Sequence, residues 1–172
     1  MTIHGALVDV GGVGVLLLGP SGVGKSECAL ELVSRGHRLV ADDVVELEAT
    51  GDGRLVGHSP ERIRHHLEIR GLGILYVPDL FGPERVCDQG EVHLVCRLER
   101  WSEDVEYDRV GLDRAREELL GVPLPCLRLP ARPGASMATI VEVAAREHQR
   151  RAVGENAAER LDARVRREMT GS

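Results

Sequence analysis

At 172 residues, with 22 basic and 28 acidic side chains and a formal net charge of -6, the chain has the size of one ordinary domain. That length can bury a core without disulfides or a structural metal, and 42% hydrophobic with 29% charged residues excludes a disordered polymer. The acidic balance argues against nucleic acid as the main partner, and no apolar run approaches the roughly 20 residues of a membrane span.

Residues 6–10 and 13–18 are short apolar, β-branched runs separated by Gly11-Gly12, which predicts a hairpin. A glycine-rich loop follows at 19–24. From Ser26 the spacing turns helical, with Cys28, Ala29, Leu32 and Val33 on one face and Gly36 as the stop. Residues 38–41 predict a buried strand ending in Asp42-Asp43. Residues 44–47 predict another, and Thr50-Gly51-Asp52-Gly53 a turn into a strand at 54–56. Beyond Pro60 a short helix is expected through His66. Gly71 and Gly73 interrupt any longer helix, so 69–77 reads as a loop running into a strand.

Residues 91–98 predict a strand, and 112–120 a helix ending at Gly121-Val122-Pro123. Residues 125–129 are short and extended, and Arg132-Pro133-Gly134 turns the chain. Ser136 can cap a helix over 138–150, and Asn156 with Glu159 forms a capping box for a last helix over 157–168. No repeat or linker interrupts the pattern. Residues 1–172 therefore read as a single α/β domain, with strands mostly early and helices late.

The first residues lack the basic-then-apolar pattern of a secretory signal. Cys28, Cys87, Cys96 and Cys126 are scattered, without a C-x-x-C pair, and read as reduced thiols in a cytoplasmic protein. The seven histidines are dispersed too, so neither residue type shows zinc-like spacing. Of the 22 basic residues only Lys25 is lysine, so 21 are arginine. Codon bias is the plain reading of the excess of arginine. A lone surviving lysine points to a position where a planar guanidinium cannot replace a compact ammonium.

Gly19-Pro20-Ser21-Gly22-Val23-Gly24-Lys25-Ser26 matches G-x-x-x-x-G-K-[ST] at every fixed position. In that motif the glycines let backbone N–H groups turn toward phosphates, and the following helix start adds positive dipole. Lys25 would reach the β/γ-phosphates and the Ser26 hydroxyl would ligate Mg²⁺. Asp42-Asp43, at the end of the predicted strand, can hold Mg²⁺ or accept a proton; a solvated turn or helix cap is the alternative. Leu67-Glu68-Ile69-Arg70-Gly71-Leu72-Gly73-Ile74 sets a carboxylate, a guanidinium and two glycines among apolar residues, with an ion pair at a helix end as the plainer reading. Arg109 can clamp a transferring phosphoryl group or be an ordinary surface arginine.

Taken together these segments resemble the HPr kinase/phosphorylase family. The resemblance is carried by G-P-S-G-V-G-K-S-E at 19–27, A-L-E-L-V-S-R-G-H-R-L-V-A-D-D at 29–43 and L-E-I-R-G-L-G-I at 67–74. Asp79-Leu80-Phe81-Gly82, Tyr107-Asp108-Arg109-Val110-Gly111 and residues 140–145 extend it in the same order. It implies a kinase that uses ATP or pyrophosphate to phosphorylate a seryl hydroxyl of HPr, a phosphocarrier protein of sugar uptake, and so regulates carbon metabolism. In reverse, inorganic phosphate would attack the phosphoserine and release pyrophosphate. By similarity, Gly19 to Ser26 bind the nucleotide phosphates, Ser26 and Glu68 hold Mg²⁺, and Asp43 takes the seryl proton with Asp42 beside it. His4, Lys25 and Arg109 match the family's other active-site positions.

The resemblance also implies a P-loop-containing mixed sheet with flanking helices, like that of phosphoenolpyruvate carboxykinase, and a hexamer formed through this domain. Full-length members carry a separate N-terminal domain, whereas this sequence begins just before His4. The family stretch Arg-Pro-Gly-Arg-Asn is linked to dephosphorylation, and here Ala135 replaces its second arginine. Loss of that guanidinium leads to an expectation of strong kinase activity and weak phosphorolysis. A small-molecule kinase or NTP hydrolase, or a nucleotide-sensing regulator, is the alternative on the same scaffold.

Overall fold

The structure, a computed structural model, describes residues 1–171. It opens with β1 (Thr2–His4), β2 (Ala6–Val10) and β3 (Val13–Leu18), the last two joined by the expected hairpin. Then come α1 (Lys25–Ser34), β4 (Arg38–Ala41), β5 (Val44–Ala49), β6 (Leu55–His58), β7 (His66–Ile69), β8 (Gly73–Tyr76) and the short α2 (Val77–Phe81). The second half holds β9 (Gln89–Glu91), β10 (Leu94–Arg100), β11 (Ala115–Leu119), β12 (Val122–Ala131), α3 (Met137–Ala152) and α4 (Ala157–Met169). No described helix is long and apolar enough to cross a membrane, and all four cysteines are free.

Six strands form a mixed sheet in the order β11-β12-β10-β3-β2-β4. The pairs β3–β10 and β10–β12 are parallel and the rest antiparallel. β1, β5, β6 and β9 make a second, antiparallel sheet, and β7 with β8 a separate hairpin. The period-2 alternation of β3 explains the layering. Val13, Val15 and Leu17 face a core completed by α1 and α3, while Leu16 and Leu18 face a second core against the four-stranded sheet. A strand buried on both faces needs a continuous apolar run, which residues 13–18 supply. Gly14 sits where the two sheets meet, because a Cβ there would lie 1.7 Å from the Glu91 carbonyl oxygen.

Three expectations are corrected. Residues 112–120 do not form a helix: Ala115–Leu119 is a strand paired with β12 through the two-residue turn Leu120-Gly121. Both turn residues have positive φ, 49° and 79°, as the tightest hairpins require. Local helix preference in Ala-Arg-Glu-Glu-Leu yields to sheet pairing and to the ion pair that Glu117 makes across β12 with Arg97 of β10. The segment 69–77 is a hairpin rather than a loop, with Gly71 and Gly73 at φ 86° and 99° closing its turn. The helix expected through His66 is a single turn, Glu61–Ile63, because His66 already pairs with Tyr76.

Candidate active site

The strand β3 delivers the chain into residues 19–24, and α1 begins at Lys25. Gly19 has φ 147°, and a Cβ there would lie 2.4 Å from the Leu98 carbonyl oxygen. The loop therefore starts hard against β10, and a side chain would push it away. Gly24 precedes the helix at φ 108° and offers no side-chain cap. The first N–H groups of a helix have no intrahelical partner, so this end presents uncapped donors toward the adjoining cleft. The Lys25 ammonium donates to the Gly19 and Pro20 carbonyls at 2.5 and 3.0 Å, which folds it over the loop.

A cleft of about 540 Å³ opens beside the loop. Its wall includes His4, Lys25, Ser26, Asp42, Asp43 and Glu68, together with Gly19, Ser21, Gly22 and Gly24. Strands from three different places in the sequence thus converge on one helix start. Pro20 and Val23 belong to the same loop but line neighbouring hollows.

The two adjacent aspartates have different surroundings. Asp42 is 4% exposed, and the Ser26 hydroxyl lies 3.0 and 2.9 Å from its two carboxylate oxygens. Burial pushes its pKa up from 3.8 to about 6, against the opposing pull of the Ser26 hydrogen bond. Asp43 is exposed and holds φ at 67°, a left-handed conformation that aspartate tolerates better than most residues. Its carbonyl accepts the Gly5 N–H at 3.1 Å, and the Val44 N–H closes on Asp42 at 2.8 Å. The Gly5 hydrogen bond ties this bend to the end of β1, and Asp43 lines the same cleft as Asp42 and His4. Strain of roughly 1–3 kcal/mol at such a position is characteristic of functional sites.

Glu68 lies on β7, in register with Ile74 of β8. Ser26, Asp42 and Glu68 supply hard oxygen donors to one cleft, the chemistry that Mg²⁺ prefers. Among the described residues no group of three or more His, Cys, Asp and Glu forms a ready-made cage. Mg²⁺ fits such a site because it takes few protein ligands and completes its shell with water and phosphate oxygens. A buried carboxylate whose contact is a neutral hydroxyl is also a place where a cation's charge is compensated.

Two cationic groups went unassigned in the sequence. Arg70, in the β7–β8 turn, lines the cleft, and a Cβ on Gly22 would lie 4.0 Å from its guanidinium and 3.8 Å from that of Arg100. Both therefore hang over the loop crown. Arg70 stands out as an odd charge among apolar residues, whereas Arg100 lies in Leu98-Glu99-Arg100-Trp101, a stretch similar to the family that by itself assigns it no role. Arg109 is placed elsewhere: it lines a separate cavity of about 620 Å³ between the 106–115 segment, β12 and the two last helices.

The chain is similar to known proteins over most of its length. The profile of the HPr Serine kinase C-terminal domain matches residues 1–165. An HPr kinase/phosphorylase from Caldanaerobacter subterraneus subsp. tengcongensis is 54% identical over 165 residues, covering 96% of this chain and 54% of the relative. The same-named protein of Exiguobacterium sibiricum is 52% identical over 163 residues, covering 95% of this chain and 52% of its own length. The solved structure of the Hpr(Ser) kinase/phosphatase from Coxiella burnetii superposes with a TM-score of 0.83 at 32% identity, covering 94% of this chain and 98% of the other. The chain spans about half the length of the curated relatives it matches. With its mixed sheet, flanking helices and this match over residues 1–165, the chain belongs to the HPr serine kinase C-terminal domain family.

Proposed function

We propose that residues 1–172 act as one catalytic domain that phosphorylates a seryl hydroxyl of HPr or a related carrier. The carrying observation is the convergence of Lys25, Ser26, Asp42, Asp43, Glu68 and His4 on one cleft at an uncapped helix start. Residues 19–26 act as the phosphate-binding P-loop on a scaffold like that of phosphoenolpyruvate carboxykinase. ATP is the donor, with pyrophosphate as a second one.

In the forward reaction the exposed Asp43 carboxylate accepts the seryl proton as the oxygen attacks the γ-phosphorus. A bond forms between that oxygen and phosphorus, and the bond from phosphorus to the β-phosphate oxygen breaks. Lys25 and the loop N–H groups neutralise the departing charge. Ser26 and Glu68 hold Mg²⁺, with Asp42 orienting Ser26 from behind. When bound, Mg²⁺ offsets the negative charge of the donor phosphates. His4, fixed beside Asp43 through Gly5, completes the acceptor side. Arg109 serves as a phosphoryl clamp only if its segment approaches the cleft.

Ala135 in place of the family arginine favours the kinase direction over phosphorolysis. A homo-oligomer (hexameric by resemblance) in the cytoplasm, acting on carbon metabolism, completes the reading. The test is to mix the protein with ATP, Mg²⁺ and HPr and locate phosphoserine by mass spectrometry. A single phosphorylated serine that vanishes with Asp43→Asn supports the proposal. Phosphate release without any carrier modification overturns it in favour of an NTP hydrolase.

A further inference from the structure

Arg109 stands on a strap, residues 101–114, that joins β10 to β11 without regular structure. The strap leaves β10 at Arg100, whose guanidinium hangs over the loop crown, and returns to the sheet at Arg114 beside α3. Its two ends are held by different means. At the outgoing end the Trp101 ring stacks on Tyr107 with centroids 5.2 Å apart, and the Arg132 guanidinium lies 3.5 Å over the indole.

At the returning end a single carboxylate of α3 does the holding. Glu147 accepts from Arg114 through one oxygen and from the Arg151 Nε through the other, each at 2.7 Å. Arg151 uses a further nitrogen to donate to the Gly111 carbonyl. Gly111 has φ 68°, and the Asp108 carboxylate accepts the N–H groups of Val110 and Gly111 at 3.0 and 2.9 Å. Held in this bend, Arg109 lines the cavity of about 620 Å³ and not the catalytic cleft. We propose that Arg151, seated on Glu147, is a positioning residue: a latch that keeps the strap and Arg109 off the cleft, and whose release lets Arg109 close on the transferring phosphoryl group. The inference rests on Arg109 being the clamp of the proposed reaction.

The latched position is costly where it is tightest. Arg114 is 11% exposed, yet its Nε and Nη1 are buried without a protein partner. Burial draws its pKa down, against the pull of Glu147. Unpartnered donors of a charged group disfavour the state that buries them, so this end of the strap gains by opening to water. The Arg109 guanidinium is exposed and, among the described residues, in no ion pair. Phosphate oxygens bound at the loop would supply one, and only the released strap can make that contact. Reach is sufficient: from Trp101 to Arg109 the chain can extend to roughly 26 Å, and Trp101 directly follows the arginine that overhangs the loop.

The test measures phosphoserine formation on HPr with ATP and Mg²⁺ for Arg151→Ala, for Arg109→Ala and for the two combined, beside hydrogen exchange of the parent and Arg151→Ala. We expect Arg151→Ala to raise kcat by about fivefold or more and to speed exchange of the amides of residues 108–113 by about tenfold. Arg109→Ala should slow transfer, and Arg151→Ala should give no gain in that background. Glu147→Gln, which keeps an acceptor while weakening both anchors, is the second variant should Arg151→Ala fail to fold. A folded variant of either kind with kcat unchanged or lowered, or with the same gain when residue 109 is alanine, overturns the latch. Normal transfer by Arg109→Ala overturns the clamp reading and the proposal with it, even where the strap amides exchange faster, which separates the two failures.

Discussion

The Ser26 hydroxyl lies within 3.0 Å of one carboxylate oxygen of Asp42 and 2.9 Å of the other. A hydroxyl has one proton, so this is a single hydrogen bond shared between two acceptors. It joins the first turn of α1 to the end of β4, two elements that otherwise meet through apolar packing. The remaining lone pairs of Asp42 are what a metal site adjoining Ser26 would draw on.

That arrangement costs stability while no cation is bound. The pKa of Asp42 is about 6 when folded, against an ordinary value of 3.8. Between those values the folded state holds more protons than the unfolded one, so stability falls as pH rises and the full cost stands above about pH 6. Two pKa units correspond to roughly 3 kcal/mol as an upper bound. Asp42→Asn keeps an acceptor for Ser26 and removes the charge. The variant should therefore be more stable than the parent at pH 8 by about 1–3 kcal/mol, with the advantage shrinking toward pH 4. Urea unfolding of metal-free protein at both pH values checks this, and a gain independent of pH would refute it.

Asp43 makes a different demand on the chain. Its φ of 67° suits asparagine nearly as well as aspartate. Asp43→Asn should preserve the melting temperature and ATP binding while transfer to HPr falls by about a hundredfold or more. Asp43→Val should instead destabilise the fold by about 1–3 kcal/mol, because a β-branched residue resists the left-handed region. Parallel thermal melts and phosphoserine assays distinguish loss of a base from loss of a bend.

Much of this was legible beforehand, and the exceptions share a cause. The loop and α1 follow from glycine spacing and a 3.6-residue periodicity, and β3 from its apolar run. Ser136 and Asn156 cap their helices as expected, accepting from the N–H groups of Thr139 and Glu159. What local pattern could not carry was tertiary pairing. Residues 115–119 look helical until β12 is there to pair with them. Asp42 and Asp43 are equals in the sequence, and only the packing of β4 on α1 buries one and leaves the other exposed. Arg100 reaches the loop across a strand, a relation that no spacing rule encodes.

Gly19 tests how closely the loop depends on β10. A methyl group there would meet the Leu98 carbonyl oxygen at 2.4 Å, and backbone cannot swing aside like a side chain. Gly19→Ala should lower stability by about 1–3 kcal/mol and weaken pyrophosphate binding by at least about tenfold. Calorimetry alongside urea unfolding checks both. Normal binding with lowered stability would show that the loop adapts without losing its donors.

The two capped helices should respond differently to loss of their caps. Ser136 accepts the Thr139 N–H at 3.3 Å and also touches Glu31 at 3.1 Å and Arg35 at 3.2 Å. It therefore ties α3, which buries Ala138, Val141, Ala144 and Ala145, to α1. Asn156 accepts the Glu159 N–H at 3.2 Å, but α4 buries no residue of its own. Ser136→Ala should lower global stability by about 1 kcal/mol. Asn156→Ala should fray α4 locally, since a 13-residue helix without a buried face is marginal in water. Hydrogen exchange should then show faster amides confined to α4 with an unchanged global unfolding midpoint. A matching drop in the midpoint for both variants would mean that α4 is part of the cooperative core.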